Sequence, residues 1–294
     1  MKTISRGVIP LLALAGLSLS PFSFACSLDG WNTVQDTGGN LTATSGARYT
    51  GGCGLMANLN GTDAAYVEDG SPGLVEPAVK TYHARFYLYV DSLQMDIADS
   101  VVIFSARAAD LSPVFNLQLS QVDGQNIVSV EAFDDQGVAA PKQGVAVRPG
   151  WRSIELSWYA GIANDGSMNL YVDGVHERQI SGLDNDVLSV GRVRLGSVAG
   201  NSATVTGRLD FDAFYSQRHD NIGIINKVCT TATDLVVTDA TFLQGSSDCS
   251  ASSSVQLGYR TTIDSGTTMN VFAPTVRLTD GASILAGANV RIRH

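Results

Sequence analysis

Charge is scarce in this chain of 294 residues. Asp, Glu, Lys and Arg make up 16% of it, against a usual level of about 25%. Cations are the scarcer sign: 19 Lys and Arg stand against 28 acids, for a formal charge of −9. Such a chain has no electrostatic handle on a phosphate backbone, which argues against nucleic-acid binding. Glu is rare beside Asp, and Asp is a turn residue and a poor helix former, so a helical bundle is disfavoured. Only four His occur, one of them the terminal His294, and no Gly-x-Ser-x-Gly is present. Ser and Cys hydrolases need a base beside the nucleophile and are disfavoured on that ground. No Cys-x-x-Cys exists and His176-Glu177 lacks the second His of a zinc helix, so zinc is disfavoured. Gly51-Gly52-Cys53-Gly54 is flanked by neither a nucleotide-type strand nor a helix, which speaks against kinases and dehydrogenases.

What is present first is an export signature. Lys2 and Arg6 precede an apolar run from Val8 to Leu19, and Ser23-Phe24-Ala25 puts small residues where a signal peptidase reads. Residues 1–25 are predicted to be a signal peptide cleaved after Ala25. The run is shorter than the ~20 residues of a membrane span. A lipoprotein signal fits poorly, because Phe24 is bulky and no Leu stands three before Cys26. Cleavage removes two cations and no acids, so residues 26–294 carry −11. No later segment is a long apolar run, and the product is expected to be secreted or held at the cell surface. Cys26, Cys53, Cys229 and Cys249 form an even set, which reads as disulfides in an exported protein. Three pairings are possible. The local one, Cys26–Cys53 and Cys229–Cys249, is favoured because each pair lies within one region.

The body reads as strands. Period-two alternation recurs from residue 80 to 216, with Phe86, Leu88 and Val90 on one parity and Phe115, Leu117 and Leu119 on the next run. Asp123-Gly124, Asn164-Asp165-Gly166 and Asp173-Gly174 mark tight turns. Regular short strands without a convincing helix mean an all-β sandwich or barrel.

From Thr230 the composition shifts to Thr, Ser, Gly and Val, and a repeat emerges. At an offset of 21, Val255-Gln256-Leu257 falls on Val276-Arg277-Leu278, Ile263 on Ile284, Gly266 on Gly287, Met269 on Val290 and Val271 on Ile292. A looser copy begins at Leu235-Val236-Val237 and reaches Gly245. Such a period signals stacked β-units, each unable to bury its apolar face alone.

Two resemblances follow. Pro149 to Leu156, Leu170 to Val175, Val193 to Gly196 and Gly207 to Tyr215, in that order, resemble the laminin-G-like jelly rolls of the concanavalin A-like superfamily over about 27–220. Asp29-Gly30-Trp31, Tyr66 to Pro72 and Gly182 to Asp186 resemble its bacterial secreted members. This resemblance implies two curved antiparallel sheets, sometimes a structural calcium, and often glycan or protein binding; it fixes no ligand. Ala273 to Leu278 with Ala286-Gly287-Ala288 looks like the three-coathanger-stack modules of bacterial exported proteins. The expected organisation is therefore 1–25 signal peptide, 26–228 jelly roll and 229–294 β-repeat module.

Three kinds of site are expected. A glycan groove is drawn from outward parity: Arg85, Tyr87, Tyr89, Gln118, Glu131, Phe133, Glu155 and Tyr159 place aromatic plates beside amides and carboxylates. Trp158 shares the parity of Ile154 and Leu156 and is assigned to the core, and Trp151 matches a packing position of the resembled family. A structural Ca2+ would draw on Asp210, which matches that family's late-strand Asp, with Asp212 on its face and Asp29 or Glu76 from the N-terminal side. Hydrogen-bonded structural carboxylates compete with that reading. Asp184-Asn185-Asp186 reads as a turn. The expected function is non-catalytic recognition of an extracellular polysaccharide or other cell-surface component. A structural or assembly module without a small ligand is one alternative. A glycosidase using Glu131 and Glu155 is the other, although the Glu-x-Asp-x-Glu strand of enzymatic relatives is missing.

Overall fold

The computed structural model describes residues 26–50, 52–72, 80–225, 228–231, 233–237, 241–242, 245–258 and 261–293. The expected signal peptide and Glu76 lie outside them. Among the described residues no helix is long and apolar enough to cross a membrane.

Two seven-stranded sheets form an all-β, jelly-roll-like sandwich. The first sheet runs in the order β1 (Thr33–Asp36), β4 (Ala65–Asp69), β13 (Arg192–Ala199), β6 (Ser100–Arg107), β7 (Pro113–Val122), β8 (Gln125–Ala132) and β9 (Gln143–Val147). The second runs β12 (Val175–Leu183), β11 (Gly166–Val172), β10 (Arg152–Tyr159), β5 (Thr81–Gln94), β14 (Thr206–Gln217), β3 (Gly54–Asn60) and β2 (Leu41–Thr44). All pairings within them are antiparallel. Alternation explains the core. Phe86 and Leu88 of β5, Phe115, Leu117 and Leu119 of β7, and Ile154, Leu156 and Trp158 of β10 are buried in one cluster. Phe86 stacks on Phe104 at 5.7 Å and Phe104 on Phe115 at 5.9 Å, so the two sheets interlock through aromatic rings. The turn reading holds at two hairpins: Asp123-Gly124 and Asp173-Gly174 both take positive φ at each residue, the geometry of a two-residue turn.

The described residues between 228 and 293 form three parallel ladders. β15 (Val228–Thr231), β18 (Gly245–Ala251), β21 (Thr267–Phe272) and β24 (Asn289–Arg293) make one. β16 (Asp234–Val237), β19 (Ser254–Leu257) and β22 (Thr275–Leu278) make the second. The third comprises β17 (Thr241–Phe242), β20 (Thr261–Ile263) and β23 (Ala282–Ile284). They enclose a core containing Phe242, Val255, Leu257, Ile263, Met269 and Val271. The offset of 21 read from the sequence is the pairing register: Leu257 pairs with Leu278, Ile263 with Ile284, Met269 with Val290 and Val271 with Ile292. Gly266 and Gly287, both at positive φ, occupy equivalent turns, and Gly266 N–H donates to Gly287 O at 3.1 Å. The first copy looks looser because its offset drifts. Leu235 pairs with Val255 at 20, Phe242 with Ile263 at 21 and Cys249 with Val271 at 22.

Both disulfides pair locally, Cys26 with Cys53 and Cys229 with Cys249, and among the described residues no cysteine is free. In the chain-entropy picture each such loop stabilises by about 3 kcal/mol. A buried ion cluster joins sandwich to stack. Arg152 of β10 donates to Asp173 at 3.0 Å and to Asp264, which follows β20, and Arg148 approaches Asp264 at 3.3 Å.

Candidate functional site

The eight residues expected to line one groove occupy two faces with the core between them. Arg85, Tyr87, Tyr89, Glu155 and Tyr159 project from the outer face of the second sheet, whereas Gln118, Glu131 and Phe133 belong to that of the first. Parity separates inward from outward, but each sheet of a sandwich has its own outward side. The shared groove is therefore corrected to two surfaces. Glu131 and Glu155 cannot flank one glycosidic bond, since the core separates them.

The second sheet's outer face is covered by the chain itself. After β14, residues 218–225 cross it as a strap. Glu155 accepts from Ile222 N–H at 2.6 Å and Gly223 N–H at 2.8 Å, and Tyr87 Oη accepts from Ile225 N–H at 2.7 Å. Arg85 donates to Gly223 O at 3.2 Å and to Ala213 O at 3.3 Å. Tyr87 is fully buried and stacks on Tyr49 at 3.7 Å in a satellite cluster with Trp151. Arg85, Tyr87 and Glu155 thus hold the strap and are closed to a ligand, which corrects their expected role. Tyr89 remains partly open at the edge of that cluster, 5.6 Å from Trp151.

His83 sits beneath the same strap. Its Nδ1 lies 2.8 Å from Ser157 Oγ, and Ser157 donates to Asn221 Oδ1 at 2.9 Å. Ser157 has one proton and gives it to Asn221, so His83 is the Nδ1–H donor, and its buried Nε2 has no protein partner. Burial holds the His83 pKa below its ordinary 6.5, with Glu155 opposing. The unfolded chain therefore takes up a proton near pH 6.5 that the folded chain refuses. Stability is complete above that pH and falls as pH drops through it. The melting temperature is expected to drop between pH 7.5 and 5.5, and His83→Asn is expected to flatten that drop. An unchanged slope in the variant would refute the assignment.

The residues expected to bind calcium have partners from the chain. Arg208 grips Asp210 through two bonds, Nε–Oδ1 at 2.7 Å and Nη2–Oδ2 at 2.5 Å. Asp212 accepts from the backbone N–H of Tyr49 at 2.6 Å, Thr50 at 2.7 Å and Ala213 at 2.6 Å. Asp210 thus has a cationic partner and Asp212 three backbone donors from the chain itself. Asp29 is exposed. Asp184 and Asp186 meet Asp135, with carboxylate oxygens within 4.8 Å of one another. Burial first, then the neighbouring carboxylates, raise the Asp135 pKa.

The first sheet's outer face carries the richest set of polar groups. Register places Thr33, Glu68, Arg194, Ser105, Asn116 and Glu131 directly opposite one another on six successive strands. At about 4.8 Å per strand this polar row is about 24 Å long. Glu68, Asn116 and Ser105 are buried although they face outward. Glu68 pairs with Arg194 at 2.8 Å and Arg192 at 3.2 Å, and the Arg194 guanidinium lies 4.8 Å from the Tyr66 ring centre. Glu131 accepts from Asn116 and Gln118 at 3.2 Å each, and Lys142 donates to Gln118 at 2.7 Å.

Cations outnumber acids here: Arg107, Arg192, Arg194 and Lys142 surround Glu68 and Glu131. Arg107 pairs directly across from Arg192, a like-charge juxtaposition that normally destabilises a sheet. Burial first, then the Arg194 charge, lower the Arg107 pKa. Ser105 Oγ, Asn116 Oδ1, Arg107 Nε and Arg192 Nε are buried with no protein partner. Such groups are rare and call for a reason. Gln118 and Glu131 were anticipated; Tyr66, Glu68, Ser105, Arg107, Asn116, Lys142, Arg192 and Arg194 were not. Arg192 and Arg194 alternate with Val193 and Leu195, so their outward parity was legible, but not which strands lie beside them.

No family model matches the chain, and no curated protein matches it in sequence. Solved structures do. An endo-β-1,4-glucuronan lyase from the fungus Trichoderma reesei is similar at 14% identity and a TM-score of 0.52, over 65% of this chain and 92% of the lyase. The receptor-binding domain of botulinum neurotoxin type G is matched at 12% identity and a TM-score of 0.43, over 65% of this chain; the match spans 44% of that domain. The likeness to the lyase shows that the sandwich has a fold known in other proteins.

Proposed function

We propose that this is an exported protein whose jelly roll, residues 26–228, binds an acidic polysaccharide without cleaving it, and whose residues 229–294 form a β-repeat module. The observation that carries this reading is the polar row on the first sheet. It combines cation excess in an acidic chain, the solvent-reachable side chains of Lys142, Arg192 and Arg194, and an aromatic ring beside a guanidinium. Guanidinium forks match carboxylates, and amides and carboxylates match sugar hydroxyls. A row crossing six strands suits an extended chain better than a single small molecule. Glucuronan, the polymer in the name of the fold-sharing lyase, is a suitable probe.

The experiment is affinity electrophoresis and calorimetry with glucuronan and with a neutral β-glucan. Retention by glucuronan alone is expected, weakening as salt rises because the contacts are ionic. Arg192→Ala with Arg194→Ala is expected to lower the affinity at least tenfold without loss of melting temperature. Equal binding to the neutral polymer, or full binding by the double variant, would sink the proposal. Reducing ends released from glucuronan by the wild type would replace binding with catalysis.

A further inference from the structure

A second feature lies on the other side of the molecule, where sandwich and stack meet. A cleft of about 550 Å³ opens there. One wall is the edge of the aromatic cluster, Tyr89 and Trp151, with the exposed guanidinium of Arg48 beside them. The opposite wall is a row of hydroxyls. Thr241 pairs with Thr262 and Thr262 with Ser283, in register across three parallel strands. Their neighbours Phe242 and Ile263 point into the stack core, so alternation turns Thr241, Thr262 and Ser283 away from it, about 4.8 Å apart; Thr241 lies buried at the base of the cleft, Thr262 is half-buried and Ser283 exposed. Arg48 is the only charged side chain lining the cleft among the described residues. Both walls are held in place, because Asp264, just beyond the middle strand, is anchored by Arg148 and Arg152. A site whose walls are fixed before binding avoids part of the ordering cost.

We propose that this cleft is a carbohydrate site for a single sugar unit bearing a carboxylate. A pyranose ring has an apolar C–H face and a rim of hydroxyls. The Tyr89 and Trp151 edges suit the first, and the Thr241–Thr262–Ser283 row suits the second. Arg48, with no acid opposite it, selects the carboxylate. The site shares no residue with the polar row and does not depend on it, so either can fail alone.

The test is saturation-transfer NMR and calorimetric titration of the full chain with D-glucuronate and with D-glucose. Glucuronate is expected to bind in the millimolar range and glucose at least tenfold more weakly. Arg48→Ala is expected to weaken glucuronate at least tenfold. Thr262→Val, which keeps the shape and removes one hydroxyl, is expected to weaken it several-fold. Arg192→Ala with Arg194→Ala should leave this binding unchanged, which separates the cleft from the sheet. Melting curves of each variant should match the wild type. Absence of transfer to either sugar, equal binding of the two, or wild-type affinity in both cleft variants would overturn the proposal.

Discussion

Arg152→Ala is expected to destabilise the protein by about 3–5 kcal/mol, the cost of removing one partner from a buried ion cluster. Arg152 is 3% exposed and meets two carboxylates, Asp173 at 3.0 Å and Asp264, itself 3% exposed. It also donates to the carbonyls of Arg148 at 3.1 Å and Pro149 at 2.6 Å. Burial already raises the Asp173 pKa, and the Arg152 charge opposes that rise. Without the guanidinium, two carboxylates and two carbonyls stay in place with their main donor gone. The effect reaches beyond one strand, because Asp264 belongs to the stack and Asp173 to the β11–β12 turn. Arg152→Ala should therefore also separate the two units, seen as a larger radius of gyration by small-angle scattering. Asp264→Asn should cost less, since it removes a charge and keeps an acceptor. A loss below about 1 kcal/mol for Arg152→Ala, read from chemical denaturation, would show that the cluster contributes little.

Glu155→Ala is expected to cost roughly 3–4 kcal/mol, from two hydrogen bonds to a charged acceptor at about 1.5–3 kcal/mol each, lessened by relaxation of the freed chain. Its carboxylate is 3% exposed and holds the amides of Ile222 and Gly223. Losing it leaves two N–H groups without their acceptor and removes a buried negative charge near Arg85. The strap should then lift, and limited proteolysis should cut within 218–225 at a rate the wild type does not show. Glu155→Gln keeps one acceptor oxygen and should fall between the two. Wild-type protease resistance in Glu155→Ala would mean that Tyr87, Arg85 and Asn221 suffice to hold the segment. Binding to glucuronan should be unaffected in Glu155→Ala molecules that remain folded, since that polymer is assigned to the opposite face.

These two residues show what could be read from sequence and what could not. Strand parity identified Ile154, Leu156 and Trp158 as core and Glu155 as outward, and all four assignments hold. The repeat was legible down to the pairing partner, because parallel stacking turns sequence offset into register. The strap was not legible. Arg218 to Ile225 shows no alternation, and most of its hold on the sheet comes from backbone groups, which carry no sequence signal. The polar row was hidden for a different reason. Glu68, Arg194 and Asn116 are distant in sequence and meet through pairings of β4, β13, β6 and β7 that parity alone cannot order. The assignment of Arg85, Tyr87 and Glu155 to a ligand failed because an outward side chain can be covered by its own chain.

The constant spacing of the last two coils makes the C-terminal stack a ruler. Each unit of 21 residues adds one strand to each ladder, about 4.8 Å along the axis, and sets an apolar side chain over the apolar side chain of the unit before. Leu278, Ile284 and Ile292 stand in the third coil where Leu257, Ile263 and Val271 are buried in the second. The anchor at Asp264 lies in the second coil, upstream of that end. One more copy placed after residue 293 would cover those three side chains and lengthen the stack by a fixed step. It would leave the Asp264 joint to the sandwich untouched, so the reach of the stack changes in fixed increments, and the hydroxyl row of the cleft, which ends at Ser283, lengthens by the same step.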